Sequence, residues 1–116
     1  MLRWGVCDEC AMKGYTKNGE WTKGTRLMFD SSSQCVELYQ GKELISSKKI
    51  KELFRGNEEI VDIYMDWKEE KIMWRYFHTG VCFAVTMPVE WINNRHTLKL
   101  HPTAEFKNKG NQIQFQ

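Results

Sequence analysis

From Glu59 to Met87 the chain alternates between apolar and polar residues in three successive runs. Large, mostly apolar side chains recur at Val61, Ile63, Met65 and Trp67, then at Ile72, Trp74, Tyr76 and His78, then at Val81, Phe83, Val85 and Met87. Successive side chains of an extended chain point to opposite sides, so a two-residue period marks strands with one buried face. Short polar links join the runs, and the stretch predicts a three-stranded antiparallel meander over about 59–87.

The expected register follows from the turns. A link centred on Glu69-Glu70 sets Trp67 opposite Ile72 and Met65 opposite Trp74. One centred on Thr79-Gly80 sets Tyr76 opposite Phe83 and Trp74 opposite Val85. Cross-strand partners share a face, so the bulky residues gather on one side, and a one-residue slip would scatter them. Gly80 suits the positive φ of a tight hairpin turn. Two glutamates do not, so a four-residue loop is expected at the first link, with parity preserved. The reverse face carries Asp62, Tyr64, Asp66, Met73, Arg75 and Phe77, with Cys82, Ala84 and Thr86 beside them. Either the rest of the chain covers this mixed face, or the first six residues form a surface that binds a partner.

The remaining elements are shorter. Leu2, Trp4 and Val6 alternate as a brief strand. Thr25–Asp30 and Cys35–Gln40 form a hairpin over about 25–40 around Ser31-Ser32-Ser33, and Glu43–Ile45 reads as one more short strand. Ser46-Ser47 resembles a helix N-cap, with Ile50, Leu53 and Phe54 on one stripe and Gly56 at the end. These residues predict one short helix over about 47–55, too short to stand unless packed on the sheet. Pro88 opens a helical turn, and a last strand is expected within Thr97–His101. Residues 107–116 are a polar tail whose Ile113 and Phe115 could add an edge strand. The order of strands, helix and strands indicates an α+β fold with an antiparallel sheet, as a single domain over 1–106.

Composition narrows the class. A hydrophobic content of 41% with 13% aromatic residues excludes a disordered chain. No apolar run approaches the roughly 20 residues of a membrane span, and the amino terminus lacks a signal peptide's apolar stretch. The expectation is a cytoplasmic protein without membrane contact. Its four cysteines are not spaced as a disulfide framework, so reduced thiols or a metal fit better. The net charge of +2 hides an uneven distribution. Glu58, Glu59, Asp62, Asp66, Glu69 and Glu70 make the first hairpin of the meander acidic, whereas Lys13, Lys17, Lys23 and Arg26 make the early segment basic.

Three sites of candidate chemistry follow. Cys7 and Cys10 have the spacing of half a zinc site, which His96 and His101 could complete, with Cys35, Cys82 and His78 as other donors. The string Trp4–Cys10 also resembles a thioredoxin active site. No β-α-β unit carries it, however, and Asp8 and Glu9 would raise the thiol pKa values, so that reading is rejected. Lys13, Tyr15, Lys17, Trp21, Lys23 and Arg26 interleave cations with flat rings, which suits single-stranded nucleic acid or a nucleotide. No phosphate-loop or dinucleotide-binding glycine motif accompanies them. Asp62 and Asp66 stand roughly 13 Å apart along a strand, too far for paired acid–base work. No nucleophile–base arrangement is legible, so catalytic residues: none.

The preferred expectation is a small non-enzymatic binding protein, an adaptor or inhibitor that docks on a protein or nucleoprotein. Size and a Lys/Asn/Ile-rich composition suit the compact accessory proteins of phages and other mobile elements. The alternative is a zinc-stabilised binder of single-stranded nucleic acid or nucleotide that uses the Lys13–Arg26 loop. The sequence also admits a homo-oligomer.

Overall fold

The computed structural model describes residues 2–51, 61–77 and 80–106. They form an α+β fold of two antiparallel sheets and two short helices. In chain order the elements are β1 (Leu2–Asp8), α1 (Glu9–Lys13), β2 (Thr25–Asp30), β3 (Cys35–Gln40), β4 (Glu43–Lys49), β5 (Val61–Asp66), β6 (Lys71–Tyr76), β7 (Cys82–Thr86), α2 (Val89–Asn93) and β8 (Leu100–Phe106). Two compact units result. The larger holds β1–β4, α1 and β8, and the smaller holds β5–β7 and α2. No helix among the described residues is long and apolar enough to cross a membrane.

The larger unit is a five-stranded sheet in the order β4-β3-β2-β1-β8. Its hairpin β2–β3 has the expected limits, with Thr25 opposite Gln40 and Asp30 opposite Cys35. β1 lies between β2 and β8, so Arg3 faces both Asp30 and Glu105, and Cys7 faces both Arg26 and His101. One face carries Trp4, Val6, Leu27, Phe29 and Val36, all buried, with the rings of Trp4 and Phe29 edge-on at 5.0 Å. Asp8 joins two elements at the end of β1. Its carboxylate accepts the Ala11 amide at 2.8 Å, capping α1, and the Thr25 amide at 3.2 Å, anchoring the start of β2.

The smaller unit is the expected meander, ordered β5-β6-β7. Parity is as predicted, but each pairing slides by two residues. Met65 faces Ile72, Ile63 faces Trp74 and Val61 faces Tyr76, while Trp74 faces Phe83 and Ile72 faces Val85. The first connection is the four-residue loop Trp67–Glu70, closed by Glu70 at φ 56°; in the second, Gly80 has φ 72° and the Tyr76 amide donates to the Val81 carbonyl at 2.9 Å. Each turn is centred one residue earlier than expected, which slides the pairing by two without changing faces. Ile72, Trp74, Tyr76, Phe83 and Val85 are therefore buried together, with Trp74 and Phe83 stacked at 5.2 Å. α2 follows Pro88 as expected and buries Trp91.

Several expectations need correction. The hairpin and the meander belong to two sheets rather than one. Ser46 and Ser47 do not cap a helix: they lie in β4, which runs on through Lys49 and pairs with β3 along its length. The backbone groups of these residues are taken up by the β3 ladder, a cooperative gain that a lone capping hydrogen bond cannot match. The rest of the expected 47–55 helix, from position 52, lies outside the described residues, as do His78 and the 107–116 tail. Residues Glu9–Lys13, for which the sequence predicted no helix, form α1. The last strand runs over Leu100–Phe106 rather than Thr97–His101, since Thr97 closes a turn on Asn94.

Candidate functional site

The polar face of the larger sheet gathers charges from four strands. Alternation puts Arg3 of β1, Arg26 and Asp30 of β2, Glu37 and Tyr39 of β3 and Glu105 of β8 on one side. Arg3 Nε lies 3.2 Å from Asp30 and 3.3 Å from Glu37 Oε1, an ion pair that lacks hydrogen-bond alignment at Glu37. Glu105 spans the two cations: one oxygen is 2.5 Å from Arg26 Nη1, and the other is 3.6 Å from Arg3 Nη1. The Arg26 guanidinium also lies over the rings of Trp21, at 4.6 Å, and Tyr39, at 4.4 Å. Two cations against three carboxylates leave the cluster one formal negative charge.

Burial opposes the charge on Arg26 and lowers its pKa, with Glu105 and Tyr39 offsetting only part of the effect. Burial also works against Arg3, but Tyr39, Glu37 and Asp30 together hold its pKa above the ordinary value. The Tyr39 phenol is raised by burial, against the pull of Arg3. Beside the cluster an open depression of about 270 Å³ is lined by Arg3, Glu20, Trp21, Arg26, Lys42 and Glu105. Its rim is closed by the exposed Lys42–Glu20 pair at 3.2 Å.

The Lys13–Arg26 loop stands above this face and has a definite shape. Tyr15 and Trp21 form an isolated bridge with rings 4.6 Å apart, and Thr22 Oγ1 donates to the Gly14 carbonyl at 2.6 Å. Of the six residues singled out from the sequence, three are engaged by the protein itself: Arg26 is buried in the charge cluster, Trp21 is half-buried above it, and Tyr15 packs on Trp21 with its ring still exposed. Lys13, Lys17, Lys23 and Tyr15 remain exposed. The structure thus divides the proposed patch into a buried foundation and an exposed rim.

The reverse face of the smaller sheet carries Asp62, Tyr64, Met73 and Arg75 in the shifted register. Asp62 lies opposite Arg75, and Tyr64 opposite Met73. Arg75 Nη2 donates to Asp62 at 3.2 Å and to the Tyr64 hydroxyl, and its guanidinium lies 5.0 Å from the Tyr64 ring centre. The hydrogen bond to Asp62 is the main cause that raises the Arg75 pKa. Tyr64 and Phe77 are exposed at 41% and 58%, and Met73 and Asp66 are half-buried. Phe77 lies in the loop after β6 rather than on the strand.

The four residues considered for zinc lie on different elements. Cys7 is buried in β1, Cys10 is exposed on α1, and His101 lies opposite Cys7 on β8. His96 belongs to the smaller unit, in the turn after α2. Among the described residues no three His, Cys, Asp or Glu side chains are placed to hold a metal ion. Burial, reinforced by Asp8, pushes the Cys7 thiol up to about 11, the direction of an inert structural cysteine.

Arg3, Asp30, Glu37, Tyr39 and Glu105 were not singled out from the sequence. The signal for four of them was the alternation itself. Given the 25–40 hairpin, Arg26 and Asp30 share a face with Glu37 and Tyr39, and Arg3 is the polar position between Leu2 and Trp4. Glu105 carried no such signal, because its strand begins later than expected. No protein-family model, curated protein or solved structure matches the chain.

Proposed function

We propose that this is a small binding protein, an adaptor or inhibitor that docks on a protein or nucleoprotein through the reverse face of the smaller sheet. The supporting observation is the composition and arrangement of that face: Tyr64 is exposed opposite Met73, Phe77 is exposed just past the end of β6, and Arg75 is oriented by Asp62 and Tyr64. Tyrosine and arginine dominate binding energy at interfaces, and a side chain already held in place loses less entropy on docking. Asp62 and Asp66 add an acidic flank that steers a basic partner. Affinity capture from lysate, compared across variants, tests this reading. Phe77→Ala and the pair Asp62→Lys/Asp66→Lys should each leave thermal unfolding within about 1 kcal/mol of wild type, while the captured partner is lost by roughly thirtyfold in affinity. A partner that tolerates both changes would place the docking surface elsewhere.

A second reading, binding of single-stranded nucleic acid or nucleotide by the Lys13–Arg26 loop, is favoured by the exposed Tyr15 ring among Lys13, Lys17 and Lys23. Base stacking on one aromatic ring contributes about 1–3 kcal/mol, and three lysines give a correspondingly modest salt slope. Anisotropy of a labelled oligonucleotide should then fall with salt and on Tyr15→Ala; a flat titration at low salt excludes this reading.

A further inference from the structure

The larger sheet ends at β4, and this edge differs from the others in the structure. All seven residues of Glu43–Lys49 are exposed, including Leu44 and Ile45 at 47% and 45%. Among the described residues no strand pairs with its outer side, so a row of backbone donors and acceptors faces solvent. The opposite edge, β8, carries Pro102, which lacks an N–H to offer. At one end of β4 stand Lys48 and Lys49, which project to opposite faces because they lie opposite Val36 and Cys35. Neither is in an ion pair among the described residues; Lys49 Nζ donates only to the Ser33 carbonyl, at 2.7 Å.

We propose that β4 accepts an extended acidic peptide of a protein partner as a sixth strand of this sheet. The free ladder supplies affinity without regard to sequence, and the side chains select the partner. Two adjacent acidic residues in an added strand would project to opposite faces, each toward one of the lysines. Apolar residues farther along would meet Leu44 and Ile45. The lysines repel a basic strand, so the edge is guarded against indiscriminate pairing while open to a complementary one. A bulge at Ile45, where Leu38 pairs with Ser46 and Tyr39 with Leu44, limits simple extension beyond the middle of the strand. A second copy of the chain is a poorer occupant. Antiparallel pairing about Ser46 would set each Glu43 opposite the other copy's Lys49 but leave each Lys48 facing Leu44, whereas an acidic peptide answers both lysines.

The test uses the full chain and a labelled peptide with two adjacent glutamates followed by alternating valine and threonine. Its controls are the same peptide with lysines for the glutamates, and one N-methylated at alternate residues. Anisotropy should show binding of the acidic peptide alone, weakened about tenfold by Lys48→Glu/Lys49→Glu, with amide exchange slowed within residues 43–49. Both substituted residues are exposed, so circular dichroism should be unchanged. Equal binding of the lysine or N-methylated peptide, unaltered exchange at 43–49, or an equal affinity of the charge-reversed variant would each overturn the proposal. So would sedimentation showing that the edge is already occupied by a second copy.

Discussion

Gly5→Ala is expected to lower the unfolding midpoint by more than about 10 °C, corresponding to a loss of about 3 kcal/mol. A glycine in mid-strand costs conformational entropy and leaves nothing to pack, so its presence in the middle of β1 requires a local reason. That reason is space. A Cβ added at Gly5 would stand 1.9 Å from the Leu27 carbonyl oxygen and 2.9 Å from the Met28 Cα. Both atoms belong to the backbone of β2, which is hydrogen-bonded on both sides, so neither can withdraw without breaking the ladder. Gly80→Ala provides the contrast. Nothing lies within 4 Å of its added Cβ, and only the φ of 72° is unfavourable, worth about 1 kcal/mol. Urea and thermal melts of the two variants measure the difference; equal midpoints would show that β1 and β2 separate more readily than their register implies.

Arg26→Met should cost about 3 kcal/mol, and the double variant Arg26→Met/Glu105→Leu appreciably less than the sum of the two single changes. The Arg26 side chain is 6% exposed and that of Glu105 is 23% exposed. Removing the guanidinium therefore leaves a carboxylate with little water to replace it. It also removes the cation between Trp21 and Tyr39, and the loop from Gly14 to Gly24 loses its anchor on the sheet. Arg3, 3.6 Å from the second Glu105 oxygen, limits the damage, which is why the expected loss lies at the lower end for a broken buried pair. Denaturant melts of the four-member cycle decide the matter. Additivity within about 0.5 kcal/mol would mean that the pair is solvated and contributes little.

The elements that could be read from the sequence are those whose periodicity reflects burial on one side. The meander kept its faces because Ile72, Trp74, Phe83 and Val85 alternate with polar neighbours, whatever the turn length. Its register slid because composition does not distinguish a turn centred on Glu69-Glu70 from one centred a residue earlier, on Lys68-Glu69. β4 was legible only at its start, because an exposed edge strand has no reason to alternate. Ser46-Ser47 before Lys48 and Lys49 therefore reads equally well as a helix start. The reverse face of the small sheet followed from parity alone. The charge cluster did not, because its ties, such as Arg3 to Glu105, join residues about a hundred positions apart, and no local pattern records such a distance.

The placement of β8 beside β1 has a consequence for how the chain matures. Leu2 pairs with Phe106, so β1 must wait for β8, made about a hundred residues later, before its second side is satisfied. Until then one flank of β1 stays open to stray neighbours, and Arg3 and Arg26 lack the carboxylate that finally bridges them. Glu105 thus acts as a latch, set only once β8 has been made.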